Sequence, residues 1–373
     1  MPVKVCHLSS VRESRDLCMF RRSCVSLAAA GYEVYLVAKG ESREDRGVHV
    51  IGVGEPPRSR LRRMLFFTRR ICRAALETDA AVYQIHDPEL LPFALALKRR
   101  GRRVIFDSHE FYTELIRTKH YLPFARQVAR VYGVFERYVL RHIDAVIFPG
   151  TRNGADPFAG VSARTVIIGN YALKDELYAS CSPGGEAASR GVSRMCFVGD
   201  MTPDRGIENL IRVSARAGAA LTLVGEIHPP AYEEALRRMP ESRGTSFLGR
   251  LDRERVREVL AASTVGMCLM PDGGQYNICD TFNMKVYDYM AMGLPVVLSD
   301  SPYARRVLER YAFGIAVDPA DVEEAARAVL WLAGHPEEAA RMGREGRRAV
   351  AEEFNWDTQE KKLLALYRNL TAG

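Results

Sequence analysis

Apolar runs of four to six residues alternate with longer stretches of helical period along almost the whole 373-residue chain. That alternation restricts the fold to parallel sheets flanked by helices, because each strand must cross back over its sheet through a helix before the next begins. Strand-like runs fall at 3–8, 34–38, 48–53, 81–85, 103–107, 145–148 and 165–168. Helical stretches lie between them at 20–30, 59–76, 88–100 and 123–141. The run CSPGGEAASRGVS, residues 181–193, has no apolar period and reads as a linker. A second round then begins, with strands at 195–198, 221–224, 245–247, 265–269, 295–298 and 314–317. Its helices fit 207–217, 232–239, 253–262, 284–292, 322–332, 336–353 and 358–370. Two successive doubly wound, Rossmann-like α/β domains are expected: 1–180, then 194–353, with a closing segment at 354–373. Ligands in such sheets bind beyond the carboxyl ends of the strands.

Composition narrows the class. No run approaches the roughly 20 apolar residues of a spanning helix. MPVKVCHLSS enters a strand at once, without a secretory signal. A cytoplasmic protein with peripheral membrane contact is expected. None of the eight cysteines forms a C-x-x-C pair or stands at zinc-ligand spacing with histidine, so buried reduced thiols are expected. The net charge of +7 is uneven: residues 1–180 hold 29 Lys/Arg against 19 Asp/Glu, the remainder 24 against 27. A basic first half suits anionic lipid or a phosphorylated carrier. Residues 58–73, RSRLRRMLFFTRRICR, interleave arginines with large apolar side chains. They read either as a helix laid on an anionic membrane or as an ordinary surface helix. No motif supports nucleic-acid binding.

The first strand runs into HLSSVRESRD, which has no G-x-G-x-x-G, and no P-loop pattern occurs anywhere. The best phosphate site is LMPDGGQYNICDTFNMKVYDYMAMGLPVVLSD, residues 269–300. A strand ends at Pro271, a polar loop runs from Asp272 to Asp280, and a helix begins near Phe282. Free N–H groups at a helix N-terminus hold a diphosphate well. Lys285 adds a mobile cation one turn in. Asp280 stands at the helix cap and Asp288 eight residues on, which puts both carboxylates near one face about 12 Å apart along the axis. They read as ligands for sugar and ribose hydroxyls, or as a plain N-cap and an exposed acid.

These residues resemble the donor motif of the family-4 retaining glycosyltransferases, in which Glu, seven residues and Glu recur. Here both acids are aspartates, Asp280 and Asp288, with Thr281, Phe282 and Asn283 in the stretch between. VYDYMAMGLPVVLSD is similar to the segment that follows in that family. SLAAAGYEVYLVA, HDPELLPFALALKRRGRRVIFDSHE, FVGDMTPDRGIENLI and FNWDTQEKKLLALY resemble its other segments, in order. Two departures stand out. Gly199 is followed by Asp200 where the family often has Arg, and Asp16-Leu17-Cys18 lacks the Arg usual two residues after the Asp.

The resemblance implies a GT-B fold, with the last helix crossing back to the first domain. It also implies a metal-independent, configuration-retaining transfer, with no cofactor and no metal, from a UDP- or GDP-sugar to a saccharide or lipid-linked acceptor. Charge builds on the leaving diphosphate, so fixed cations and N–H dipoles there carry the catalysis. Arg205, Lys285, Asp280 and His109 are the catalytic candidates, with His109 donating to developing charge. Gly199, Gly249, Arg250, Thr281, Phe282, Asn283 and Asp288 are donor-side, with Gly249 and Arg250 at the nucleobase. Ser9, Ser10, Asp16, His86 and Glu110 are acceptor-side, the two serines acting through backbone amides. A non-catalytic nucleotide-sugar-binding subunit and a sugar-nucleotide epimerase are the alternatives.

Overall fold

The computed structural model describes residues 2–14, 16–57, 59, 62–117, 122–162, 164–173, 194–271 and 278–372. The expected linker, residues 58, 60 and 61 of the basic segment, and 272–277 of the polar loop lie outside them, as does the side chain of Cys18. The chain divides into two units: Met1–Asn170 with Trp356–Gly373, and Tyr171–Asn355.

The first unit carries β1 (Lys4–Glu13), β2 (Glu33–Lys39), β3 (Arg43–Asp45), β4 (Val48–Gly52), β5 (Val82–Ile85), β6 (Arg103–Asp107), β7 (Ala145–Phe148) and β8 (Thr165–Ile167). They order as β3-β4-β2-β1-β5-β6-β7-β8. Every pairing is parallel except β3 with β4. Helices cover both faces, so β5 and β7 are buried at every residue. β1 outlasts its expected end at Leu8, and its register with β2 shifts between Leu8 and Glu13. Chain order reverses between β1 and β5, which makes their carboxyl ends the switch point of this sheet.

The second unit carries β9 (Arg194–Val198), β10 (Ala220–Val224), β11 (Thr245–Phe247), β12 (Val265–Cys268), β13 (Val296–Ser299) and β14 (Gly314–Val317). Their order is β11-β10-β9-β12-β13-β14, all parallel, with the switch between β9 and β12. The helix Met284–Met292 is buried from Lys285 to Met292 and lies against β12. Gly266 permits the approach, since a Cβ there would come within 2.4 Å of the Tyr289 ring. The Tyr289 hydroxyl accepts from the Val198 amide at 3.1 Å, tying this helix to the end of β9.

Three expectations change at the boundaries and in the elements. Tyr171, Ala172 and Leu173 belong to the second unit, not the first. Ala172 bridges to Asn355, and the Tyr171 ring packs on Tyr287 and Phe354. For the same reason Phe354 and Asn355 stay with the second unit, and the closing segment starts at Trp356. In the first unit Trp356 Nε1 donates to Ser26 Oγ at 2.9 Å, and Gln359 Oε1 accepts from the Gly169 amide at 3.0 Å. β3 and the helices Tyr112–Arg117 and Pro302–Arg310 are additions to the expected elements. The last was legible, because Ser301 caps it by accepting from the Ala304 amide and Pro302 opens it.

Candidate functional site

In the first unit, three histidines stand at the switch point and beside it. His7 lies in β1, His86 directly follows β5, and His109 lies two residues past β6. Their rings stack, with His7 Nδ1 3.0 Å from His86 Nε2 and His86 Nδ1 3.0 Å from His109 Nε2. Tyr367, on the closing helix Trp356–Thr371, places its hydroxyl 3.0 Å from His7 Nε2 and donates to Gln84 Oε1 at 2.7 Å. Gln84 Nε2 donates to Asp107 Oδ2 at 2.8 Å, and that oxygen lies 3.3 Å from His86 Nδ1. Burial sets the charge states. It lowers His7 to about 3, takes His86 and His109 well below the usual histidine value, and raises Asp107 to about 7.

The directions of these bonds propagate. Gln84 gives its amide N–H to Asp107, so its carbonyl takes the phenol proton. The Tyr367 oxygen then accepts from His7 Nε2–H. His7 Nδ1 accepts from His86 Nε2–H, and His86 Nδ1 from His109 Nε2–H. Burial keeps the three rings neutral, and in this order Nδ1 of His109 carries a lone pair. In that order His109 Nδ1 is an acceptor, whereas the sequence points to His109 as a donor to developing charge. Among the described residues, His86, Asp107 and His109 are the group whose ligand atoms are close enough for a metal ion, and those atoms already bond within the ladder.

The other first-domain candidates are held internally. Asp87 Oδ2 accepts from Ser9 Oγ at 2.7 Å, the Ser10 amide at 2.6 Å and the Val11 amide at 3.2 Å. Ser9 and Ser10 are fully buried. The Ser10 amide, expected to serve a substrate, is used by Asp87, and Ser10 Oγ donates to Glu89 at 2.6 Å. Asp16 accepts from the Met19 amide at 2.9 Å and pairs with Arg12 at 3.0 Å. The Glu110 carbonyl accepts from Ser108 Oγ at 2.9 Å.

The second unit places Gly199, Arg205 and Lys285 at the β9/β12 switch point. Asn283, not Asp280, is the N-cap of Met284–Met292. Asp280 precedes the helix and pairs with Arg306 at 2.5 Å, so the two acids do not share a helix face. Lys285 is the second residue of the helix and is buried, not mobile. Its ammonium lies 4.4 Å from the centre of the Phe197 ring. Gly199, at φ 131°, keeps the space beside it open, since a Cβ there would stand 3.4 Å from Lys285 Nζ. Burial lowers Lys285 to about 8, with Arg205 pushing the same way. Arg205 ends a short 3-10 turn and reaches Asn283 Oδ1 at 3.4 Å. Gly206 lets that turn approach β12, because a Cβ would fall 2.5 Å from the Leu269 carbonyl oxygen. Thr281 Oγ1 lies 3.1 Å from the Tyr287 hydroxyl, and the Phe282 amide donates to the same group at 3.1 Å.

Asp288 is buried and held by Arg253 through two bonds, at 2.9 and 3.0 Å, so the exposed-acid reading fails. Gly249 lines a cavity of about 430 Å³ at the carboxyl ends of β10 and β11, together with Gly225, Glu226, His228 and Phe247. Arg250 lies 3.8 Å from Glu226 beside it. Sequence reasoning missed Glu226, His228 and Phe247. The only signal was Gly225, which ends a strand as Gly199 does.

Two doubly wound domains, each with polar groups gathered at its switch point, define a protein of the GT-B class. The glycosyl transferase 4-like domain model matches residues 19–170, and the glycosyl transferases group 1 model matches residues 193–335. The chain belongs to the family-4 GT-B glycosyltransferases. A GDP-mannose-dependent monoacylated alpha-(1-6)-phosphatidylinositol monomannoside mannosyltransferase of Corynebacterium glutamicum is 29% identical over 171 residues, which cover 44% of this chain and 44% of that relative. Sucrose-phosphate synthase from Thermosynechococcus elongatus shares the fold at a TM-score of 0.78 and 18% identity over 99% of each chain. Anabaena HepE in complex with UDP does so at 0.70 and 15%, over 99% of this chain and 100% of that one. No helix among the described residues is long and apolar enough to cross a membrane.

Proposed function

We propose that the protein moves a hexosyl group from a nucleotide sugar to a saccharide or lipid-linked acceptor in polysaccharide or glycolipid assembly, with retention and without a metal. The observation that carries this reading is the buried Lys285 ammonium beside Arg205, at the N-terminus of Met284–Met292. Two cations and a helix N-terminus at a switch point stabilise the charge that develops on a leaving diphosphate. The cavity beside Gly249 takes the base. Asp288, fixed by Arg253, takes ribose hydroxyls, and Asp280 takes sugar hydroxyls. His109 accepts from a hydroxyl of the transferred sugar. The curated relative is GDP-mannose-dependent and HepE holds UDP, so a UDP- or GDP-linked donor is the expectation.

The test is a thermal-shift panel of UDP, GDP, ADP, TDP and their sugars, in EDTA, followed by NMR of the product anomer. Stabilisation by a nucleotide sugar, release of nucleoside diphosphate and a retained anomer in EDTA are the expected outcomes. Inversion removes the retaining mechanism, and an absolute need for a divalent ion removes metal independence. Binding with no release for any acceptor supports a non-catalytic subunit instead, which Asp200 in place of the family's arginine favours.

The basic segment supports docking at the inner face of the plasma membrane. Met64, Leu65 and Phe66 are exposed beside exposed Arg62, Arg69 and Arg70, whereas Phe67 and Ile71 are core. Arg63 turns to Glu89 at 3.1 Å, so Arg62→Glu with Arg69→Glu is the proper test, read as loss of sedimentation with anionic vesicles.

A further inference from the structure

The helix Ala125–Leu140 has three faces of different chemistry. One is core: Ala129, Gly133, Glu136, Val139 and Leu140 are buried, and Gly133 packs against Thr113. Glu136 is the helix's only acid, and it points inward to the Tyr132 hydroxyl at 2.8 Å and Thr113 Oγ1 at 3.2 Å. A second face is apolar and exposed. Phe124, Val128, Val131, Val134 and Tyr138 recur at helical spacing, with Phe124 76% and Val131 71% exposed. The third borders it with Arg126, Arg130, Arg137 and Arg141, all exposed and none in an ion pair with a described residue. Phe124 enters the helix in the left-handed region, at φ 57°, a conformation that bulky side chains rarely adopt. Its ring stands exposed at the head of the stripe.

We infer that this face is a second membrane-docking surface, which lies flat in the interface of an anionic bilayer. This deepens the membrane part of the proposed function and is carried by a different helix. The apolar stripe is the part that enters the headgroup and acyl boundary, and the arginine row beside it is the part that meets lipid phosphates. Charge decides the occupant. A second copy of the chain would set arginine rows against each other with no exposed acid on the helix to offset them. A surface of anionic headgroups complements all four.

The experiment compares the wild-type chain, Val131→Asp with Val134→Asp, Arg130→Glu with Arg137→Glu, and Arg62→Glu with Arg69→Glu. Each is sedimented with phosphatidylcholine vesicles and with equimolar phosphatidylcholine–phosphatidylglycerol vesicles. All substituted side chains are exposed, and circular dichroism with an unchanged melting temperature confirms the fold. The wild type is expected to sediment with the anionic vesicles only. The valine pair is expected to lose about tenfold in partitioning, and the Arg130/Arg137 pair its preference for phosphatidylglycerol. Wild-type partitioning by the valine pair overturns the inference. If binding is then lost only in the Arg62/Arg69 pair, the membrane reading stands without this second surface. A wild-type dimer by light scattering that becomes monomeric in the valine pair also overturns it, in favour of self-association.

Discussion

The Tyr367 hydroxyl lies 3.0 Å from His7 Nε2 and joins the closing helix to the first strand of the chain across 360 residues. Its position dictates a proton order. With neutral rings, the phenol's donation to Gln84 predicts a proton on Nε2 of all three ladder histidines. Nitrogen-15 NMR of histidine-labelled protein is expected to show neutral Nε2–H tautomers at His7, His86 and His109. In Tyr367→Phe, two buried groups lose their partner, at a cost of about 1–3 kcal/mol in urea unfolding. The His109 resonances should shift although that ring does not touch Tyr367. A native His109 spectrum in the variant rejects the relay.

Arg253 and Asp288 form the other decisive pair, because the acid is buried while the arginine is half-exposed. Arg253→Met strands a carboxylate in the core and is expected to cost about 3 kcal/mol. Removing both charges with Arg253→Met and Asp288→Leu should recover most of that loss. An unchanged urea midpoint in Arg253→Met shows that the pair does not hold the helix.

The architecture was readable because parallel strands buried on both faces leave uninterrupted apolar runs, as at Val265–Cys268. β3 was not readable: Arg43, Glu44 and Asp45 form an edge strand whose pairing comes from its neighbour β4, not from its own pattern. Site residues were visible singly and invisible as partners. His86 and His109 follow strand ends and stood out in the sequence. His7 looked like any residue in a strand, and Tyr367 like any residue in a helix. Asp288 marked itself by its spacing from Asp280, but Arg253 lies 35 residues away and has no local signature. Sequence spacing reports which residues share an element; it does not report which elements meet.

The ladder also sets an acid limit on stability. His7 is held at about 3 against an ordinary 6.5, so it binds fewer protons when folded. Its contribution is complete above 6.5 and is lost as pH falls toward 3. His86 and His109 act in the same direction. Asp107 opposes them: raised from 3.8 to about 7, it favours the folded state at low pH and loses that contribution as pH rises through 7. Calorimetry from neutral pH downward is expected to show a falling melting temperature. The fall should steepen in Asp107→Asn, which removes the opposing group. Equal slopes for the two proteins reject the assignment.

Donor affinity should have an alkaline limit of its own, set by Lys285. Burial lowers this lysine to about 8, so it is charged at neutral pH and loses the proton just above it. A diphosphate favours the charged form, and its binding therefore weakens as pH rises through about 8 and strengthens as pH falls back. The weakening above about pH 8 is assigned to the lysine. Titration calorimetry with a nucleoside diphosphate at about pH 7 and about pH 9.5 tests this. The wild type should bind less tightly at the higher pH. Lys285→Met should bind about 30-fold more weakly at neutral pH, the loss of one charge-assisted bond of about 2 kcal/mol, with no further change on raising the pH. Arg205→Met should also bind weakly but keep the wild-type slope. If Lys285→Met keeps that slope, the titrating group lies elsewhere, and the diphosphate does not rest against this ammonium.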